Sequence, residues 1–278
     1  MQQKLIWLKV SLFTQKGNWH YLLREIELFI SKNSLYIAEY LIEFNFLSGE
    51  NIRFSIPISE GSVAEFVPLM DSYFKRFFFE RNLATKTTLF PVIGIFKPFE
   101  QNTIQYGLFD ISYRSTKEAK LGIHLSRVIL TALKDCEIDD ETLITFAFYL
   151  HAAILKVLKD RAQTAHETEN YYINSGFLTG SDISLEFLIE RFSSNRQELM
   201  VIYQNIMVEN RLDLPHWIGD WITSINDEFE NNNLSLTDPS QVETYQKITS
   251  IVNQHLGLSN NSWLLVSYFL QQTIETCQ

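Results

Sequence analysis

Six histidines, two cysteines and an acidic surplus are the raw material for chemistry in this chain, and their spacing limits what they can do. The histidines are His20, His124, His151, His166, His216 and His255. Binding zinc from one helix takes two histidines a turn apart, as in HExxH, whereas "HETE" at 166–169 supplies only one. They read as surface or partly buried helix histidines. Cys136 and Cys277 lie far apart in no ligand spacing, and neither carries the local signature of a nucleophile. Neither GxGxxG nor GxxxxGKS/T occurs, so no phosphate-cradling loop is encoded, and there is no GxSxG elbow. Asp139-Asp140-Glu141 stands where a helix should begin, and there the macrodipole favours negative charge, so capping is preferred over catalysis. The acids around Glu228–Glu230 read as a solvated helix end.

Two groups of cations remain. "YFKRFFFERN" (73–82) holds the densest basic cluster, Lys75, Arg76 and Arg81, around three consecutive phenylalanines. Phe77, Phe78 and Phe79 cannot all point inward from one helix, so at least one is expected at the surface or an interface. Two readings stand side by side: a helix buried on two sides, or a peptide-contact surface carried by Arg76, Phe78 and Arg81. The second group is a single residue. "EFNFLSGENIRFSIPI" (43–58) joins two apolar runs through the turn-like Ser48-Gly49-Glu50-Asn51, and Arg53 is the first arginine after Arg24. Arg53 is either a strand arginine paired with a local carboxylate or part of a cationic site.

The elements that must position these residues follow from periodicity. "LIWLKVSLF" (5–13) is β-rich and bounded by Gly17-Asn18, which predicts a strand. Trp19, Leu22, Leu23, Ile26, Phe29 and Ile30 recur at helical spacing, with Asn18 as the expected N-cap. Segments 36–46 and 52–58 predict a hairpin, 62–83 an amphipathic helix, and 87–99 a proline-containing edge or bent strand. After 101–113 the pattern is helical, with helices expected over 115–136, 140–160, 184–210, 215–231, 241–255 and 261–276. Expected caps are Ser115 with Glu118, Asp139 with Thr142, and Asp238-Pro239. Polar joints are expected at 167–182 and 230–239. The fold class is therefore α+β: a small antiparallel or mixed sheet in the N-terminal half (1–113) and a mainly helical C-terminal half (114–278). Gly107 marks that boundary by composition alone, and the two parts are expected to form one unit.

Composition removes several functions. The chain has 278 residues, 46% hydrophobic and 20% charged, which is a globular balance. Its 21 Phe and 12 Tyr predict an aromatic-rich core and cleft, and its 10 Gly and 6 Pro predict few loops. With 23 Lys+Arg against 33 Asp+Glu the formal charge is −10, which repels phosphate backbones, so no direct nucleic-acid partner is expected. No signal peptide and no membrane span are expected, and the cysteine usage suits a reducing cytoplasm. No cofactor or metal site is expected.

The order of segments carries more information than any one of them. "LIWLKVSLF…NWHYLLREIELFI", a hairpin ending in "ENIRFSI", a long helix, "FKPFEQNTIQYGLFDI" and the helix "STKEAKLGIHLSRVILTAL" follow one another. This arrangement resembles the thiopeptide-type bacteriocin biosynthesis domain, the glutamate-elimination half of lantibiotic dehydratases that also occurs as a separate small protein. The resemblance covers the whole chain in length and order. It implies maturation of a ribosomally made precursor peptide alongside a separate glutamylating dehydratase subunit. Eliminating members expel glutamate from an esterified Ser or Thr, which needs a base at the α-proton and fixed cations for the enolate and carboxylate. Pyridine-forming members join two dehydroalanines in a formal cycloaddition and need shape and hydrogen bonds more than arginines.

Residue by residue, the family pattern H-I-R-L-R is kept here only as Arg53, with Asn51 at the histidine and Ser55 at the second arginine. The arginine of F-x-R-Y has no counterpart, since residues 25–52 contain no arginine. Of Y-x-P-E-x-x-R-Y-G-G the chain keeps Pro98, Glu100, Tyr106 and Gly107, with Gln105 for the arginine and Leu108 for the second glycine. The last helix, "SYFLQQTIE", offers Ser267 but places Leu270 near the family histidine. The resemblance thus implies a catalytic set of Arg53, Gln105 and Tyr106, with Tyr40, Tyr113 and His255 as groups that could rebuild acid/base function. Three activities stay open: glutamate elimination (a lyase), a catalytically silent peptide-binding or scaffold subunit, and a cycloaddition enzyme.

Overall fold

The computed structural model describes residues 4–81, 98–111, 113, 116–161, 183–208, 214–230 and 239–277. The chain divides into two compact units, 1–139 and 140–278. The class is α+β, with the sheet confined to the first unit.

In that unit the order is β1 (Leu5–Phe13), α1 (Trp19–Lys32), β2 (Leu41–Asn45), β3 (Asn51–Ser59), α2 (Val63–Arg81), β4 (Thr103–Tyr106) and α3 (Thr116–Leu133). The strands form one sheet in the order β2-β3-β1-β4, every neighbour antiparallel. Alternation along the strands gives the sheet two unlike faces. Val10, Leu12, Ile42, Phe44, Ile52, Phe54 and Ile56 line one face and are fully buried. Helix α1 covers it: Trp19 stacks on Phe44 at 4.7 Å and Phe29 meets Phe54 edge-on at 6.5 Å. Phe29 also meets Phe66 and Phe74 of α2, so both helices share this core. The β2–β3 turn places Ser48 at φ 61° and Gly49 at φ 115°, the second a conformation that glycine adopts far more readily than other residues. Asn51 is buried beside it, and its amide donates to the Gly49 carbonyl at 2.7 Å.

Helix α3 belongs with the sheet. Its buried Ser126 hydroxyl accepts from the Ile42 N–H of edge strand β2 at 2.8 Å and donates to the Gly122 carbonyl at 2.8 Å. One side chain thus supplies an acceptor to a backbone donor at a sheet edge. Lys134–Glu27 at 2.6 Å and Arg24–Asp135 at 2.9 Å tie the end of the same segment to α1. The compositional change at Gly107 therefore falls inside the first unit, not at its border.

The second unit is α4 (Asp140–Arg161), α5 (Leu185–Met207), α6 (His216–Glu230), α7 (Pro239–Leu256) and α8 (Asn260–Cys277). Helix α4 is its centre and packs against all four others, which is why it is apolar on every side. By length and composition it would cross a membrane, yet it is mostly buried in the fold, as a core helix is. Ser184 caps α5 by accepting from the Phe187 N–H at 3.2 Å. Helix α7 ends on Gly257 at φ 59°, with the Leu258 N–H returning to the Asn253 carbonyl at 3.1 Å.

Several expectations need correction. The fourth strand is Thr103–Tyr106, where no strand was expected: at four residues it is too short for its alternation to stand out. The expected strand at 87–99 lies outside the described residues except for Pro98 and Phe99, as do the Ser115 and Asp238 caps and the "HETE" segment. Asn18 stands at the N-cap of α1, but its side chain makes no capping bond, because a short 3-10 turn (Lys16–Asn18) leads into the helix. His151 and His255 are fully buried and not surface histidines.

Candidate functional site

The other face of the sheet carries buried Phe13 and Leu41 toward its ends and is polar between them. Strand register sets Glu43 of β2 opposite Arg53 of β3, Arg53 opposite Ser11 of β1, and Ser11 opposite Gln105 of β4. Residues in register on neighbouring strands point to the same side, so these four form one row across the whole sheet. The adjacent row brings Lys9 opposite Ser55. Glu43, Ser11 and Ser55 are buried, at 5%, 2% and 2% exposure.

Arg53 is the centre of this row. Its guanidinium lies 4.6 Å above the Phe109 ring and 4.0 Å from the Glu43 carboxylate. Two unit charges at that distance attract by about 4 kcal/mol at an effective dielectric of 20. Burial pulls the Arg53 pKa down and the Glu43 charge pushes it back up, so the pairing helps keep the guanidinium charged. The strand-arginine reading is met: Arg53 pairs with a local carboxylate on this face, and Ser11 separates it from Gln105 in the row. Lys9 donates to Asp110 at 2.6 Å, so the next cation is engaged as well. Tyr113 joins the same neighbourhood: burial first, and then the charges of Glu43 and Glu118, push its phenol far above the usual range. At neutral pH it is an un-ionised hydroxyl.

Tyr106 is not brought to this row. It follows Gln105 in β4 and therefore points to the opposite face, where its hydroxyl reaches the Val67 carbonyl at 3.5 Å. Burial, and then the charge of Asp71, push its pKa up to about 12. Tyr40 lies with the apolar face, 6.4 Å from Phe54, its phenol pushed up to about 12 mainly by burial. His255 and Ser267 belong to the helical unit, both buried, and Leu270 is fully buried there. Asn51, at the family histidine position, holds the hairpin turn.

The second candidate set separates in the same way. Phe78 is 6% exposed and packs on Phe77 at 5.4 Å, so it is a core residue and not a contact residue. Phe79, at 86% exposure, is the one that points outward. Arg76 is exposed and pairs with Glu80 at 3.9 Å, while Arg81 lies over the Tyr21 ring at 4.8 Å. The helix is buried on one side and open on the other.

Sequence reasoning missed Glu43, Ser11 and Phe109. The signal for Glu43 was present: a tight turn at Ser48-Gly49 folds 43 back onto 53. Ser11 and Phe109 depend on pairings between strands far apart in the chain, which local pattern does not encode. Among the described residues no three His, Cys, Asp or Glu gather to hold a metal ion.

No protein-family profile matches the chain, and no curated protein sequence does. Solved structures do. A pyridine synthase, TbtD, from thiomuracin biosynthesis matches with a TM-score of 0.72 and 14% identity, over 97% of this chain and 98% of its own. TsrL matches with a TM-score of 0.62 and 10% identity, over 98% and 95%. The tRNA-dependent lantibiotic dehydratase MibB from Microbispora sp. 107891 matches with a TM-score of 0.58 and 11% identity, over 98% of this chain but 28% of that one. At this identity the likeness is one of fold, shared with a pyridine synthase from thiomuracin biosynthesis, with TsrL and with part of a lantibiotic dehydratase.

Proposed function

We propose that this chain matures a ribosomally made precursor peptide after dehydration, joining two dehydroalanines in a cycloaddition of the pyridine-synthase kind. The observation that carries this reading is the Glu43–Arg53 pair. Glutamate elimination needs a cation free to take the departing carboxylate, and the one arginine kept at the site already faces a buried carboxylate 4.0 Å away. A cycloaddition between neutral alkenes asks instead for neutral donors and a fixed shape, and the half-buried Gln105 and Tyr113 are such donors. The likeness to the pyridine synthase over nearly the full length of both chains supports the same reading, as does the smaller share of the dehydratase that this chain spans. On this reading a separate dehydratase supplies the substrate.

The test is thiol labelling of peptides after incubation with the purified protein. A precursor peptide bearing dehydroalanines takes up one thiol per alkene, and the expected result is uptake reduced by two after incubation. If a glutamyl-serine peptide instead loses glutamate, and Arg53→Ala abolishes the loss, elimination is the activity. If neither peptide changes but both co-purify, the protein is a binding subunit, a reading that the exposed Phe79 beside Arg76 would serve.

A further inference from the structure

The reading above rests on a site without net positive charge, and one residue sets that condition. We infer that Glu43 determines the specificity of this face, its carboxylate serving as a built-in occupant of Arg53 that turns away acidic ligand groups. The inference deepens the proposed function, but its test does not depend on any turnover.

Three observations carry it. Glu43 is fixed opposite Arg53 by the hairpin register, so the two side chains must share one side of the sheet. Glu43 keeps 7% side-chain exposure and Arg53 21%, so of the two side chains the arginine is the more accessible. The Phe109 ring lies 4.6 Å from the guanidinium carbon, which leaves the guanidinium edge as the route to its N–H groups. An acidic group arriving there would meet the Glu43 charge as well as the guanidinium, and the repulsion offsets part of the attraction, whereas a neutral carbonyl accepts from the same N–H groups without that repulsion. Removing the Glu43 charge while keeping Arg53 should therefore expose an anion site that the natural chain masks.

The experiment is a thermal-unfolding titration with acetate and with glutarate, against chloride at the same ionic strength. It is run on the natural protein, on Glu43→Ser, and on Glu43→Ser combined with Arg53→Met. Glu43→Ser should be stabilised by the carboxylates, with a rise of about 3–5 °C at ten times the Kd, because a ligand that binds only the folded state adds to its stability. The natural protein and the double variant should shift no more than they do with chloride. If Glu43→Ser is unfolded on its own, glutarate should restore its far-ultraviolet helical signal, and Glu43→Gln gives the same titration with a side chain of unchanged size. A carboxylate response in the natural protein, one that survives Arg53→Met, or none in either Glu43 variant would overturn the inference.

Discussion

The two faces of the sheet are built from the same strands in the same register, yet they hold together for different reasons. One is packed with Val10, Leu12, Ile42, Phe44, Ile52 and Phe54, all without exposure, and contributes through area removed from water. The other buries Ser11, Glu43 and Ser55 nearly as deeply, where each polar group must be satisfied before it contributes anything. Burial alone does not distinguish the faces; what distinguishes them is the cost of being wrong. A lost methyl group on the first face is a cavity, and a lost partner on the second is an unbalanced charge.

The largest effect should come from the apolar face. Phe54 is fully buried and meets Phe29 and Tyr40. Phe54→Ala should lower stability by about 3–5 kcal/mol, the usual cost of a truncated buried aromatic. The urea midpoint of the first unit's transition measures it. A loss below about 1 kcal/mol would mean that α1 and α2 collapse onto the gap, and the faces would then differ less than their packing implies.

A buried polar group in the helical unit sharpens the comparison. His151 is fully buried in α4, 4.7 Å from the Trp263 ring, with its Nε2 3.4 Å from the Asn253 side-chain oxygen. Burial pushes its pKa down from 6.5 to about 3, against a smaller upward pull from Asn253. Between those values the unfolded chain binds a proton that the folded chain does not. The stabilisation is therefore complete above pH 6.5 and is lost as the pH falls toward 3. The slope is about 1.4 kcal/mol per pH unit, or about 2 kcal/mol on going from pH 6.5 to 5. Urea midpoints of the natural protein and of His151→Gln, measured across that range, give the difference. Parallel pH curves would show that His151 has access to water or to a partner when protonated. Among the described residues this group, unlike Arg53, has no countercharge acting on it, so its burial works against charge instead of organising it.

How much of this could be read from the chain varies with the distance over which the residues act. The strand at Leu5–Phe13 and the helices of the second unit follow from local periodicity, and the structure places them within a few residues of the expected limits. The α+β class follows from the same pattern. Strand β4 escaped because an alternation over only four residues does not stand out from its surroundings. The candidate row was legible only in part: Arg53 and Gln105, singled out by the resemblance, share it across Ser11. Tyr106 could not be excluded from motif alone, since only the pairing of β4 with β1 shows which of two adjacent residues faces the row. In α2 the choice between Phe78 and Phe79 turned on a rotation of one residue, which a run of three phenylalanines does not disclose.

The smallest stability effect, and the most informative one, belongs to Ser11. It lies between Arg53 and Gln105 in the row and contributes one hydroxyl. Ser11→Ala removes an oxygen and little volume, so the stability change should stay within about 1 kcal/mol. If the row acts on peptide, the same change should slow dehydroalanine consumption by far more than that loss explains, and Gln105→Ala should do likewise. Phe54→Ala should instead reduce activity only as far as it unfolds the protein. Plotting activity against stability for the three variants separates the faces: two points should fall well below the line through the third. If Ser11→Ala and Gln105→Ala lie on that line, the polar row is packing and not a site. The search for the reacting centre would then move to the outward side of α2, where Phe79 and Arg76 are exposed.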